Sequence, residues 1–474
     1  MASNALPDLW LASERRWQAN DRRAAVLLGS WAAAIAIAPN PKWKLLLAAP
    51  GVLAAIAAWT LARPPRWIGG FLGAALLLPP LPFALGDTGP HPCLLFAGLG
   101  VLAGAVWLAE WRIPGTSLNA ALASLAGAIL ASIAPAAIYS GATLAALSLA
   151  RAGLLVIAIY VFLFAAYGPG RPADSFRAIR WLFCAAVIAA LFACVDFYYQ
   201  FPAPAGYGPQ FVWLDSGVYR RAQGLFYEAS TLGNFCAFFL AMIAVCLARG
   251  GAAIPVARKW LVAGAVVLFA ALVLSYSRAS LLNVAVACAA MLWRYRRNLG
   301  ARKLAALAAI GITVAAVTWK IFPVFADTYW LRLSASAQYL FSATEAVFSG
   351  RMASWQTLMA WIRENPWHLL WGIGYKTLPY TDYLGAPLVA DNMYLSLLVE
   401  TGIAGLAALV WVHIAILRAA ARASRAADQG RSFCGTWIFC FWCGQIVQML
   451  SGDLLTYWRV LPIYFFVLAL AVRA

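Results

Sequence analysis

Charge is what this sequence is short of. Asp, Glu, Lys and Arg make up 11% of its 474 residues, against roughly a quarter in soluble domains, which excludes a soluble globular fold for most of the chain. Acidic residues are scarcer still, 17 against 35 basic ones. Histidine is almost missing, and His91, His368 and His413 show no metal-ligand spacing. Cysteine is plentiful enough but confined. Cys184, Cys194, Cys236, Cys246, Cys288, Cys434, Cys440 and Cys443 lie inside apolar runs, and Cys93 starts one. The polar segments therefore hold none with which to staple an extracytoplasmic domain. Cys440 and Cys443 have C-x-x-C spacing without the further ligands that zinc needs, so packing accounts for them. The leading stretch "MASNALPDLWLASERRWQANDRR" is too polar and too long to read as a cleavable signal.

Hydrophobicity fills the space. Apolar residues reach 64% and come in runs near the ~20 residues that cross a bilayer. The expectation is an all-α polytopic membrane protein with about 14 (12–14) transmembrane helices, since no other element satisfies its backbone within one lipid-facing segment. The runs fall near 24–39, 45–62, 67–86, 92–109, 118–139, 143–168, 180–200, 228–248, 259–276, 279–294, 304–321, 391–417, 433–450 and 454–472. "AAIYSGATLAALSLARAGLL" leaves open whether the fifth and sixth are two spans or one kinked one.

A net charge of +18 would suggest nucleic acid in a soluble protein. Here no nucleic-acid motif accompanies it, and the basic residues sit in alternate short loops. Arg15, Arg16, Arg22 and Arg23 mark one side. So do Arg63 and Arg66, then Arg171, Arg177 and Arg180, then Arg249, Arg258 and Lys259, "RYRRNLGARK", and finally Arg418, Arg422, Arg425 and Arg431. By the positive-inside rule that side and both termini are cytoplasmic. Four regions follow: N-terminal spans over 1–200, central spans with arginine-bearing outer turns over 201–321, a long outer loop over 322–390, and C-terminal spans over 391–474. Within the loop, "SGRMASWQTLMAWIRENP" has a helix signature. Ser349 caps it, Trp355, Leu358, Met359 and Ile362 make an apolar stripe, and Asn365-Pro366 stops it. The amphipathic helix would lie on the outer leaflet or against the bundle.

The outer face is poor in basic residues, yet its few charges gather. Arg220 and Arg221 precede the eighth span, Arg278 sits in the tight turn of "VLSYSRASLLNVAV", Arg351 is in the amphipathic helix, and Lys376 follows a glycine turn. Glu228 opens the eighth span, Asp391 the twelfth, and Glu400 lies about two turns further on. Arginines around a helix start can grip a diphosphate through charge-assisted, bidentate hydrogen bonds. A carboxylate beside them can take the proton of an attacking hydroxyl. The plainer alternatives are snorkelling anchors for the arginines, a helix-to-helix hydrogen bond for Glu400, and interface-belt roles for Trp355, Trp371 and Tyr394.

In order along the chain, "RAQGLFYEAS", "SYSRASLL", "SGRMASWQTLM", "LLWGIGY" and "DNMYLSLLVETGIAGL" resemble the O-antigen ligase and polymerase superfamily of bacterial inner-membrane proteins. The resemblance covers Arg220 to Leu406, and the first six spans contribute only hydrophobicity to it. It implies a GT-C-like, metal-independent, inverting glycosyltransferase without a cofactor, acting on the periplasmic side of the inner membrane. The donor would be an undecaprenyl-diphosphate-linked glycan. The acceptor would be a sugar hydroxyl, on the lipid A core for a ligase or on the next lipid-linked repeat for a polymerase. Arg221, Arg278 and Arg351 would bind the diphosphate, Asp391 would act as general base, and Asn392, Glu400, Glu228, Lys376 and Tyr394 would support them. One departure stands out: typical ligases open the post-loop helix with His-Asn, and this chain has Asp391-Asn392. That loosens the ligase reading and leaves polymerase or exopolysaccharide relatives open. A solute carrier of bicarbonate type and a scaffold of a polysaccharide assembly complex are the alternatives from other classes.

Overall fold

A computed structural model describes residues 26–81 except 28, 89–169, 175–204, 206–214, 217–249, 256–296 and 351–473, with isolated positions between 316 and 330. They fall into two compact units, Met1–Arg66 and Trp67–Ala474. In the first, helix α1 (Pro41–Leu61) starts where the Asn40 side chain accepts from the Trp43 N–H and proline takes the first turn. Arg66 closes the unit by donating to the Trp59 carbonyl at 2.8 Å.

The second unit is a helical bundle. Its elements are α2 (Arg66–Leu77), α3 (Cys93–Val106), α4 (Ser117–Ala131), α5 (Ile133–Tyr167) and α6 (Ser175–Tyr199). After a β-hairpin come α7 (Ala229–Ala248), α8 (Arg258–Leu274) and α9 (Arg278–Tyr295), then α10 (Arg351–Glu364), α11 (His368–Trp371), α12 (Met393–Ala423), α13 (Gln429–Gln448) and α14 (Leu461–Val472). Five stretches among the described residues are long and apolar enough to cross a membrane: Ser117–Tyr167, Ser175–Tyr199, Ala229–Ala248, Met393–Ala423 and Gln429–Ser451. The chain is a mostly helical membrane protein. Several expected spans are shorter than drawn, because α2, α3 and α14 have 12, 14 and 12 residues where a full crossing takes about 20. The expected run 454–472 starts late since residues 454–456 form a 3-10 turn instead. The eleventh run, the loop up to residue 350 and the Ser349 cap lie outside the described residues.

Two features were not anticipated. Strands β1 (Phe211–Leu214) and β2 (Gly217–Arg220) pair antiparallel, so the all-α expectation misses a small hairpin in "QFVWLDSGVYR". The uncertain pair of spans separates at Gly141 (φ 84), inside the gap expected between 139 and 143, and an unexpected second break at Ser132 divides α4 from α5.

Close packing comes from small residues and polar pairs, as lipid offers no hydrophobic drive between helices. A Cβ on Gly233 of α7 would meet Ser280 Oγ at 2.7 Å and Ser277 Cβ at 2.8 Å, so glycine lets α7 press against the start of α9. Beneath that contact, Asn234 and Asn283 donate to the carbonyl oxygens of Gln445 and Gln448. Gln448 in turn donates to Ser280, and Tyr464 to Asn234. The amphipathic helix α10 packs on the bundle through Leu358 and Ile362, joining Ile373, Leu378, Ala390 and Val399. Met359 is 42% exposed, so the expected stripe is wrong by that residue, and Trp361, outside the expected stripe, packs against the cluster.

Helix α12 breaks at Gly402 (φ 70, ψ −172), which frees the Val399 and Glu400 carbonyls to accept from Ile373 and Gly374. The backbones meet so closely that a Cβ on Gly372 would lie 2.3 Å from the Glu400 oxygen, and one on Gly402 would lie 2.4 Å from the Leu370 oxygen. This interlock fixes the loop 372–380 to α12. Gly402→Ala combines a left-handed backbone with a backbone clash, and we expect it to destabilise the fold by roughly 2–5 kcal/mol. Thermal unfolding in detergent reads this out; a midpoint equal to that of the unaltered protein would show that the contact has slack.

Candidate active site

The hairpin ends at Arg220, whose guanidinium lies 3.7 Å from Asp196 of α6. The next residue turns inward. Arg221 N–H donates to Gln210 O, and its side chain donates to Ser275 O at 2.9 Å and Ser230 Oγ at 3.4 Å. Ser275 ends α8, so this bond ties Arg221 to the two-residue turn Tyr276–Ser277 that leads into α9. Arg278 is the first residue of α9, correcting its expected place inside the turn by one step. Arg351 opens α10 and pairs with Asp391 at 3.2 Å. Three helix starts or turns, distant in sequence, thus deliver one guanidinium each.

The carboxylates arrive similarly. Glu228 stands immediately before α7 and accepts from Thr231 Oγ1 at 2.6 Å. Burial pushes its ionisation above the usual carboxylate range; Asp391 and Asp453 push the same way, and the Thr231 bond and Arg221 oppose. Asp391 precedes α12, held from behind by Trp355, whose indole donates to the Ala390 carbonyl at 2.6 Å. Asp453 follows α13 and accepts from Ser396 at 3.0 Å and from the Lys376 ammonium at 2.5 Å.

Lys376 is a junction. It is 5% exposed; burial alone would drive its ammonium toward neutrality, but the carboxylates of Glu400 and Asp453 outweigh this and hold it above its ordinary value. Its backbone N–H and that of Leu378 donate to the Glu400 carboxylate, and its carbonyl accepts from Arg151 at 2.9 Å.

These groups line one cleft with two lobes. The first, about 440 Å³, has Arg221, Arg278 and Arg351 on its wall and, among the described residues, no carboxylate. The second, about 540 Å³, carries Arg151, Arg221, Arg351 and Lys376 against Glu228, Asp391 and Asp453. Both volumes suit a small-molecule site. Arg221, Ser230, Arg351 and Tyr457 belong to both lobes, and Tyr457 bonds Ser230 at the divide. Backbone strain collects here too. Of five non-glycine residues with left-handed φ among the described residues, Tyr227, Tyr276, Lys376 and Asp391 are in the site or adjoin its charged side chains. Such conformations cost about 1–3 kcal/mol each and persist where the surroundings enforce them.

The cleft therefore brings together Arg221, Arg278, Arg351, Asp391, Glu228 and Lys376 from the sequence expectation. Three residues stand apart. Asn392 caps α12 by accepting from Tyr394 and Leu395 N–H. Glu400 is buried at 1% exposure behind Lys376. Tyr394 donates to Ile446 O and meets His413 between α12 and α13, so it is a helix-to-helix contact and not a membrane-interface ring. Trp355 is likewise inward-bonded. Sequence reasoning passed over Arg151, Asp453, Tyr380 and Trp458. A lone arginine inside an apolar run was a visible signal for Arg151; Asp453 in "SGDLLTYWRV" had only the rarity of acids to mark it.

Residues 263–410 match the family model described as O-antigen ligase. No curated protein matches the chain significantly. The matched segment holds Arg278, Arg351, Lys376, Asp391 and Glu400, while "RAQGLFYEAS" lies before it and Asp453 after it. The resemblance to the O-antigen ligase superfamily is thus supported over residues 263–410, a segment that brings Arg351, Lys376 and Asp391 to the cleft.

Proposed function

We propose that the cleft transfers a glycan from undecaprenyl diphosphate to a sugar hydroxyl on the periplasmic face of the bacterial inner membrane. The observation that carries this reading is the polarity of the two lobes: one wholly cationic, one bearing carboxylates, joined along Arg221 and Arg351. The diphosphate occupies the first lobe against Arg221, Arg278 and Arg351, whose guanidinium forks match phosphate oxygens. The saccharide extends into the second. The acceptor oxygen attacks the anomeric carbon, the bond to the diphosphate oxygen breaks with its electron pair, and the hydroxyl proton passes to Asp391. One displacement inverts the anomeric centre. Charge growing on the leaving group meets fixed guanidinium groups, which supply electrostatic stabilisation without reorganisation. Lys376, tied to Asp453, anchors the wall opposite. Both termini lie in the cytoplasm on this reading. The acceptor is the lipid A core in the ligase form. Aspartate at the Asp391 position, where ligases carry histidine, favours as second reading a polymerase whose acceptor is another lipid-linked unit.

Purified protein with undecaprenyl-diphosphate glycan, acceptor and a chelator should form product. Asp391→Asn should retain donor binding and lose roughly 10²–10⁴-fold in transfer rate; undiminished turnover would remove Asp391 from the chemistry. Arg278→Gln should weaken binding of the diphosphate donor by roughly 10–100-fold, read by titration, and should leave the fold intact. Glu228 gives a test by pH. Its folded-state ionisation lies above the unfolded value, so the folded form binds the extra proton between the two and stability falls as pH rises through that window. Glu228→Gln keeps the Thr231 contact and removes the titration. Its melting point should gain on the unaltered protein from pH 4 to pH 8, and parallel curves would contradict the assignment.

A further inference from the structure

Arg151 takes no part in the transfer just described, yet it occupies an expensive position. It lies on α5, inside the membrane-crossing stretch Ser117–Tyr167, where an ionised side chain calls for a partner or a function. Its protein contacts are few: Nη1 donates to the Lys376 carbonyl at 2.9 Å, and the guanidinium carbon sits 4.0 Å over the Tyr380 ring. Among the described residues it makes no ion pair.

The charges of the second lobe single it out further. Asp453 is matched by Lys376, Asp391 by Arg351, and Glu228 faces Arg221 and Thr231. Lys376 also faces Glu400 from behind, whereas Arg151 has no carboxylate within ion-pair distance among the described residues. Among the described residues one of its five N–H groups is used, so the fork can still take two oxygens of a carboxylate. Beside it are apolar ring faces. Tyr380 is 46% exposed and Trp458 half-buried on the same wall, and aromatic faces of this kind pack the C–H side of a pyranose.

We infer that the Arg151 lobe recognises a sugar bearing a carboxylate, a hexuronic acid, next to the bond that is exchanged. This rests on the reading above that the second lobe holds saccharide, and it adds the chemical class of that saccharide. The competing use of Arg151 is as a fourth ligand of the diphosphate, and a binding measurement separates the two.

The full chain in detergent is titrated with methyl β-glucuronide, methyl β-glucoside and inorganic diphosphate, using calorimetry or the fluorescence of Trp458 and its neighbours. The unaltered protein should prefer the glucuronide over the glucoside by roughly 10–100-fold, the range of a hydrogen-bonded charge pair. Arg151→Gln should abolish that preference and leave diphosphate binding as it was. Arg151→Lys, which keeps the charge and loses the fork, should retain a reduced preference, and it serves where the glutamine variant does not fold. Equal or no binding of the two sugars overturns the inference. So does a full preference surviving in either variant, or an Arg151→Gln loss as large for diphosphate as for glucuronide. Because the readout is binding, a chain that discriminates the sugars but transfers nothing overturns the proposed function alone. A chain that transfers without discriminating overturns this inference alone.

Discussion

Guanidinium groups of like sign repel, and at a membrane boundary they lose part of the water that would screen them. Facing three of them into one lobe is the constraint around which the rest of the structure is organised. None of the three arginines reaches the cleft on a free loop. Arg221 is pinned through its backbone to Gln210 and through its side chain to the end of α8, while Arg278 and Arg351 are first residues of helices. A helix N-terminus is an unfavourable place for a cation, because the unpaired N–H groups already carry positive charge. Two arginines at helix starts, turned to the same cavity, raise the local positive potential and suit the lobe to an anion.

Holding such a cavity open takes rigid parts, and the scaffold supplies them from several directions. Asparagine, glutamine and serine side chains beneath the first lobe lock α7, α9, α13 and α14 together, in a setting where polar groups without partners are costly. On the other side, the Gly372–Gly402 interlock freezes the loop that carries Lys376. Lys376 then spreads that rigidity: its N–H holds Glu400, its ammonium holds Asp453, and its carbonyl holds Arg151. Left-handed backbone at Tyr227, Tyr276, Lys376 and Asp391 fits this picture, because strain survives only where neighbours over-determine the conformation.

How much of this was legible in the sequence depends on the kind of signal. The arginines could be read because they break an apolar pattern at span ends, and Asp391 and Glu228 because they open helices. The helix Arg351–Glu364 was legible from its apolar period and its Asn365-Pro366 stop. Failures came where the meaning of a residue depends on what lies across the bundle. Tyr394 and Trp355 look like interface aromatics until their donors are seen to face carbonyls 52 and 35 residues away. Span lengths were over-read because apolar sequence continues past the helix ends: Leu78 follows the end of α2, and Leu454–Thr456 turns in a 3-10 helix before α14. The hairpin went unread because eight residues split by a turn have little periodicity to show.

The extent of the family match carries its own structural meaning. Residues 263–410 supply Arg278, Arg351, Lys376 and Asp391, and neither lobe closes with these alone. Arg221 and Glu228 come from before the segment, Asp453 and Tyr457 from after it, and Arg151 from α5, far upstream. A residue of the first spans thus sits on the wall of a cleft to which those spans seemed to add only hydrophobicity. The division is uneven in chemistry as well. Asp391 and its partner Arg351 lie within the matched segment, whereas Arg151 and Trp458 of the second lobe lie outside it. On the proposed reading, with bond exchange at the first group and sugar selection at the second, Arg151 and Trp458 can change while Asp391 and Arg351 stay fixed. Such a separation follows from geometry: Arg221 and Arg351 belong to both lobes and tie them together, whereas Arg151 and Trp458 line the second lobe alone and can be exchanged without touching the first.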